Sequence, residues 1–203
     1  MLTRTPPLLL IAFTLAASGC GGSSGTASSS SSAGGPAPES AAALSADAKS
    51  AAAGDIPDTQ NFLTLRAPQV HVSMLYPEGW TVRESVDRVS IADKNNLVQI
   101  VVSRGAAATT ASVQSQLATM ERSTPGLKAN TAHAIALKSG PAVKVTYTTQ
   151  SAPNPVTGKQ VTLMVDRYVL AHGGRVAVVD LGTPVGVDNV DAYRRMVESF
   201  KWL

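Results

Sequence analysis

Between Cys20 and Gly54 the chain is almost entirely Ser, Gly, Ala, Thr and Pro; the exceptions are Cys20, Glu39, Leu44, Asp47 and Lys49. A segment this poor in apolar side chains cannot bury enough surface to offset the entropy lost on ordering it. It is expected to be a disordered tether over residues 20–55. As a random coil it would span about 33 Å, from roughly 5.5 Å × √n. Ala41 to Ala53 could form a frayed helix, since alanine is the best helix former, and the Ser/Thr density also suits a glycosylated stalk. Whatever core the chain has must come from the stretch after it, Ile56 to Leu203. A length of that order buries about 68–70% of its unfolded surface, enough for one domain without disulfides.

The residues before the tether read as an address. Arg4 is the sole charge before Glu39, an apolar run follows from Leu8 to Ala17 interrupted by Thr14, and Ser18-Gly19-Cys20 closes it. A positive start, a short apolar middle and a small-residue exit describe a secretory signal peptide over residues 1–19. The run is too short for a bilayer core of roughly 30 Å. Ala17-Ser18-Gly19-Cys20, with Leu15 just upstream, resembles the bacterial lipobox; alanine stands where leucine is most frequent. By that resemblance Cys20 is the lipidation site and becomes the mature N-terminus, carrying a diacylglyceryl thioether and palmitate-class acyl chains. Two chains anchor where one is marginal, at roughly 0.8 kcal/mol per buried CH₂. The location implied is the extracytoplasmic face of the cell membrane.

The composition excludes several classes. One cysteine rules out an intrachain disulfide and a cysteine-based zinc cluster. Seventeen basic against fourteen acidic residues, net +3, is too balanced for a nucleic-acid binder.

From Ile56 onward the pattern is α+β. Val70–Tyr76 reads as a strand, Tyr76-Pro77-Glu78-Gly79 as a turn. Trp80–Glu84, Val89–Ala92 and Leu97–Ser103 read as further strands. Thr109 or Thr110 can cap a helix that carries Val113, Leu117 and Met120 on one face and stops at Ser123-Thr124-Pro125-Gly126. Ala129–Leu137, Ala142–Thr149, Thr162–Ala171 and Arg175–Leu181 are strands, the last two joined at His172-Gly173-Gly174. Asp188 is the expected cap of a final helix with Val190, Tyr193, Val197 and Phe200 inward. Turns this short require antiparallel pairing, and the helices must bury their stripes on the sheet. A mainly antiparallel twisted sheet covered by helices is expected.

Tyr76-Pro77-Glu78-Gly79-Trp80 after a strand resembles the Tyr-Pro-x-Gly-Trp opening of PsbP-like domains, which share a sandwich with the Mog-type proteins. Ser139-Gly140-Pro141-Ala142 is similar to that family's Gly-x-Pro-Ala region, and Ser199-Phe200 to its Ser-Phe ending. With a lipobox and a low-complexity tether in front, the layout looks like the actinobacterial LpqN-type lipoproteins. Low Lys, Ile and Asn beside abundant Ala, Gly and Val suits the GC-rich genome of such a host. The resemblance implies a PsbP-like sandwich over about residues 60–203 and says little about activity, since one fold hosts many functions. Nothing here matches residues that would serve an oxygen-evolving complex.

Catalytic chemistry is thin. His71, His133 and His172 are isolated from one another and from carboxylates at ligand spacing; His71 and His133 are expected in strands, His172 in a hairpin turn. Asp87, Asp93, Asp166 and Asp180 are scattered and form no calcium loop. There is no Gly-x-Ser-x-Gly elbow in the folded part, no Walker loop and no Gly-x-Gly-x-x-Gly after a strand. Arg194, Arg195, Glu198 and Lys201 read as a solvated helix face, with partner docking as the alternative, and Trp80 as core. No catalytic, cofactor or metal residue is assigned. The expectation is a non-catalytic binding or adaptor lipoprotein supporting an envelope or transport complex, with an envelope protein as partner. The alternatives are a carrier or sensor of a small apolar ligand and, further off, a hydrolase with a dispersed triad.

Overall fold

The computed structural model describes residues 53–203. The residues expected to form a signal peptide, Cys20, and nearly all of those expected to form a tether lie outside the described residues.

Among the described residues, eleven strands and two helices follow in order. β1 (Phe62–Ala67), β2 (Val72–Pro77), β3 (Thr81–Glu84), β4 (Arg88–Asp93) and β5 (Asn96–Arg104) precede helix α1 (Thr110–Ser123). Next come β6 (Lys128–Ala129), β7 (His133–Leu137), β8 (Gly140–Gln150), β9 (Thr162–His172) and β10 (Arg175–Pro184). Helix α2 (Val190–Glu198) and the short β11 (Lys201–Trp202) close the chain. Every pairing is antiparallel, as the short turns demand.

The strands form two sheets. The larger runs β3-β4-β5-β10-β9-β8-β6, with β7 also on β8; the smaller runs β1-β2-β11. β1 and β11 are missing from the sequence reading. β1 holds Leu65 and Ala67 inward and leaves its other residues largely exposed, so its run is weakly apolar. β11 has two residues and exists because the chain leaving α2 lies beside β2, Trp202 opposite Val72. The expected Ala129–Leu137 strand is two pieces, because Gln114 of α1 takes over its middle. Gln114 Oε1 accepts from Ala132 N at 2.9 Å.

The large sheet is apolar on both faces. On one face Val113 and Leu117 of α1 pack on Val143, Val145, Tyr147, Leu163, Val165 and Val169. On the other, α2 and the small sheet pack on Val98, Ile100, Leu170, Val179 and Leu181, with Phe200, Met196, Val72 and Met74 fully buried among them. Trp80 belongs to this second core, 8% exposed.

α1 begins as expected. Thr109 Oγ1 accepts from Ser112 N at 3.1 Å, and Ser112 Oγ accepts from Thr109 N at 2.9 Å, a reciprocal cap. α2 begins differently. Its cap position is Asn189, whose amide is turned into the interior and makes no cap hydrogen bond; Asp188, the expected cap, stands one residue earlier and accepts from Val190 N at 3.2 Å through Oδ1. Val190, expected inward, is 61% exposed; Met196 takes the inner position beside Tyr193, Val197 and Phe200. Lys201 stands in β11 rather than on the helix.

Candidate functional site

The interior end of α2 is fixed by a buried polar knot. Asn189 Oδ1 accepts from Ile56 N at 2.8 Å, and Asn189 Nδ2 donates to Thr183 Oγ1 at 2.8 Å and to Gly54 O at 3.1 Å. Asn96 Nδ2 also donates to Gly54 O, and Thr183 Oγ1 donates to Asn96 Oδ1 at 3.0 Å. Gly54 has φ +112, and a Cβ there would come within 3.2 Å of Asn96 Nδ2. Only glycine suits both conditions. Residues assigned to the tether by composition, Gly54 and Asp55, thus continue into the folded part.

This knot ties the start of the Asp55–Phe62 segment to the first turn of α2, and a surface cleft of about 580 Å³ lies between the segment and the helix. Asp55, Asp58, Asp188 and Asp191 line it, with Arg195 as the one lining cation. The Arg195 guanidinium sits 4.3 Å above the Phe62 ring, a cation–π contact that holds it at the cleft wall. Arg194 instead pairs with Asp191 on the helix surface. The helix face read as solvated is exposed, yet Arg195 has this fixed contact.

A second polar constellation lies under α1. Arg167 Nε and Nη2 donate to Asp180 Oδ1 and Oδ2, both at 2.7 Å. The side chains are 13% and 12% exposed. The guanidinium lies 5.2 Å over the Tyr147 ring and 3.4 Å from Met120 Sδ. Burial alone lowers the Arg167 pKa, but hydrogen bonds and charge from Asp180 outweigh it and the net direction is up. Burial, then the Asp180 charge, push Tyr147 up to about 12. By register Asp180 lies opposite Gln99, Gln99 opposite Ser90 and Ser90 opposite Arg83. Directly paired residues share a face, so a polar row crosses five strands and emerges from under α1.

On the opposite face, Lys144 Nζ meets Asp166 Oδ2 at 2.8 Å, and Thr146 Oγ1 donates to Asp166 Oδ1 at 2.6 Å. Here too burial lowers the Lys144 pKa, while Asp166 and Tyr168 raise it further than burial depresses it. Two of the four aspartates that look scattered in sequence therefore each hold a cation, on opposite faces of adjacent strands. The hairpin could have revealed one pair: counting outward from Gly173-Gly174, Arg167 and Asp180 fall opposite each other.

Asp87 lies in the β3–β4 turn and Asp93 at the end of β4. His133 opens β7. His71 is not in a strand but in the β1–β2 turn, at φ +55. His172 is the last residue of β9, stacked 6.1 Å from Trp202. Among the described residues no three His, Cys, Asp or Glu side chains are grouped to hold a metal, and no helix is long and apolar enough to cross a membrane.

No family profile matches the sequence, and no curated protein matches it. Among solved structures the chain is similar to the cyanobacterial PsbP protein (CyanoP) of Synechocystis sp. PCC 6803. The TM-score is 0.52 at 13% identity, covering 74% of this chain and 98% of that one. At that identity the likeness establishes the fold: an α+β, PsbP-like sandwich, as the Tyr76-Pro77-Glu78-Gly79-Trp80 turn suggested. A Bacteroides thetaiotaomicron protein has TM-score 0.45 at 13% identity, covering 69% of this chain and 48% of that one. The Ran-binding protein Mog1p of Saccharomyces cerevisiae has TM-score 0.44 at 9% identity, covering 70% and 95%. Both likenesses are too weak to carry an argument.

Proposed function

We propose that this chain is a cell-envelope lipoprotein, anchored through acyl chains on Cys20, whose PsbP-like domain is a non-catalytic binding or adaptor module for an envelope protein complex. The anchor reading rests on the sequence: the signal-like start, the lipobox-like Ala17-Ser18-Gly19-Cys20 and the tether behind it. The module reading rests on the character of the cleft beside α2. It is a surface cleft with four aspartates and an aromatic-held arginine on its wall, a surface suited to polar contacts with another macromolecule. A carrier of a small apolar ligand needs an apolar pocket with a few polar groups, and this cleft instead carries five charged side chains.

The test is metabolic labelling of the full chain in its bacterial host with an alkyne-tagged palmitate, followed by membrane fractionation. The wild type takes up label and sediments with membranes; Cys20→Ser takes up none and is lost from them. An unlabelled wild type in the soluble fraction contradicts the anchor. Apolar ligand retained stoichiometrically by the purified protein contradicts the module reading.

A further inference from the structure

One end of the sandwich carries cations that no acid answers. In register, Arg104 on β5 stands directly opposite Arg175 on β10, and Arg175 directly opposite His172 on β9. Cross-strand Cβ atoms lie roughly 5 Å apart, and like charges so placed destabilise a sheet. Neither Arg104 nor Arg175 belongs to an ion pair among the described residues. The row faces the small sheet, whose Trp202 stacks on His172. On the small sheet, Arg66 and Lys201 lie on either side of Ser73, on the face opposite Val72 and Met74, and are both exposed. The acidic groups at this end, Glu84 and Asp87, are exposed in and before the β3–β4 turn. In the same turn Val86 is 84% exposed.

We infer that this end is a docking surface for a membrane bearing anionic, phosphate-containing headgroups. The cations, Arg175 half-buried and Arg104, Arg66 and Lys201 exposed, spread over both sheets rather than converge in a recess, and the cleft beside α2 is lined by none of them. Dispersed cations with one protruding apolar side chain match a lipid interface better than they match a discrete small ligand. The electrostatic strain between Arg104 and Arg175 is relieved when lipid phosphates sit between them. This contact is separate from the Cys20 anchor: it sets which end of the domain faces the bilayer.

The test uses the full chain with Cys20→Ser, so that the anchor contributes nothing, in co-sedimentation with phosphatidylglycerol/phosphatidylcholine vesicles. Each Lys or Arg near an anionic surface strengthens partitioning about fivefold. Arg104→Gln/Arg175→Gln is therefore expected to weaken binding about 25-fold, and high salt to abolish it. The charge-matched control Arg122→Gln/Lys159→Gln, away from this end, is expected to change it less than threefold. A melting temperature that does not fall in the first double variant shows the fold is kept. Absence of sedimentation at low salt overturns the inference. So does an equal loss in both double variants, which would mean net charge alone, or complete competition by millimolar inorganic phosphate, which would mean a discrete phosphate site. Failure here leaves the acyl labelling of Cys20 untouched, so the two readings are tested separately.

Discussion

Arg167 and Asp180 face each other across β9 and β10 and join through two parallel hydrogen bonds of 2.7 Å, both side chains nearly out of solvent. The pair sits beneath α1, among Val113, Leu117, Val165 and Val169 on its apolar side, and favours one register of the two strands. A one-residue slip would turn Arg167 and Asp180 into the opposite core.

Removing one partner leaves the other charge uncompensated under α1. Asp180→Ala is expected to cost about 3–5 kcal/mol, measured by denaturant unfolding. Arg167→Met/Asp180→Leu should recover most of that loss, because a buried ion pair is often no more stable than a packed apolar pair. A single-variant cost below about 1 kcal/mol would contradict this role.

Tyr147 gives the same cluster an alkaline signature. Its phenol has a pKa of about 12 in the fold against 10.0 ordinarily. A raised folded-state pKa means the neutral form is favoured by folding. That contribution, roughly 2–3 kcal/mol, is present in full below pH 10 and is lost as pH rises towards 12. Burial raises Tyr168 and Tyr193 in the same direction, so the whole protein should lose stability over this range. Tyr147→Phe should flatten the fall; an unchanged slope in the variant would count against the assignment.

Trp80 is core rather than a stacking platform. Trp80→Ala should cost on the order of 3–5 kcal/mol. A thermal melt lowered by less than a few degrees would be inconsistent with that burial.

Asn189 ties the start of the folded part to α2. Asn189→Ala leaves Ile56 N without its acceptor, while Gly54 O and Thr183 Oγ1 keep their bonds to Asn96. Each buried group left unsatisfied costs about 1–3 kcal/mol. Amide exchange at Ile56 should accelerate far more than at Val179, in the centre of the large sheet. Equal acceleration at both would mean that the knot does not hold the cleft locally.

What could be read from the sequence follows from range. The Thr109 cap, the Pro125-Gly126 stop and the Gly173-Gly174 hairpin are set by neighbours within a few residues, and all are legible, although Ser112's reciprocal bond to Thr109 N is not. The division into two sheets was not. β2 leaves the large sheet to pair with β11, and Lys201 is opposite Ser73, more than a hundred positions away. Nothing local in Lys201-Trp202 announces a strand. Asp188 looks like the better cap until the interior claims Asn189. The cleft shares that origin: its walls, Asp55–Phe62 and α2, meet only because Asn96 and Asn189 both bind Gly54.

In the function proposed above, a lipid-anchored domain meets another envelope protein through the cleft beside α2. The most direct measurement places a photo-crosslinking residue at Asp58, and separately at Val156, in the full lipidated chain in its host. The account expects one dominant protein adduct from position 58 and none from position 156. Equal adduct patterns from the two positions, or no protein adduct from position 58 with a small molecule retained on the purified chain, would contradict it.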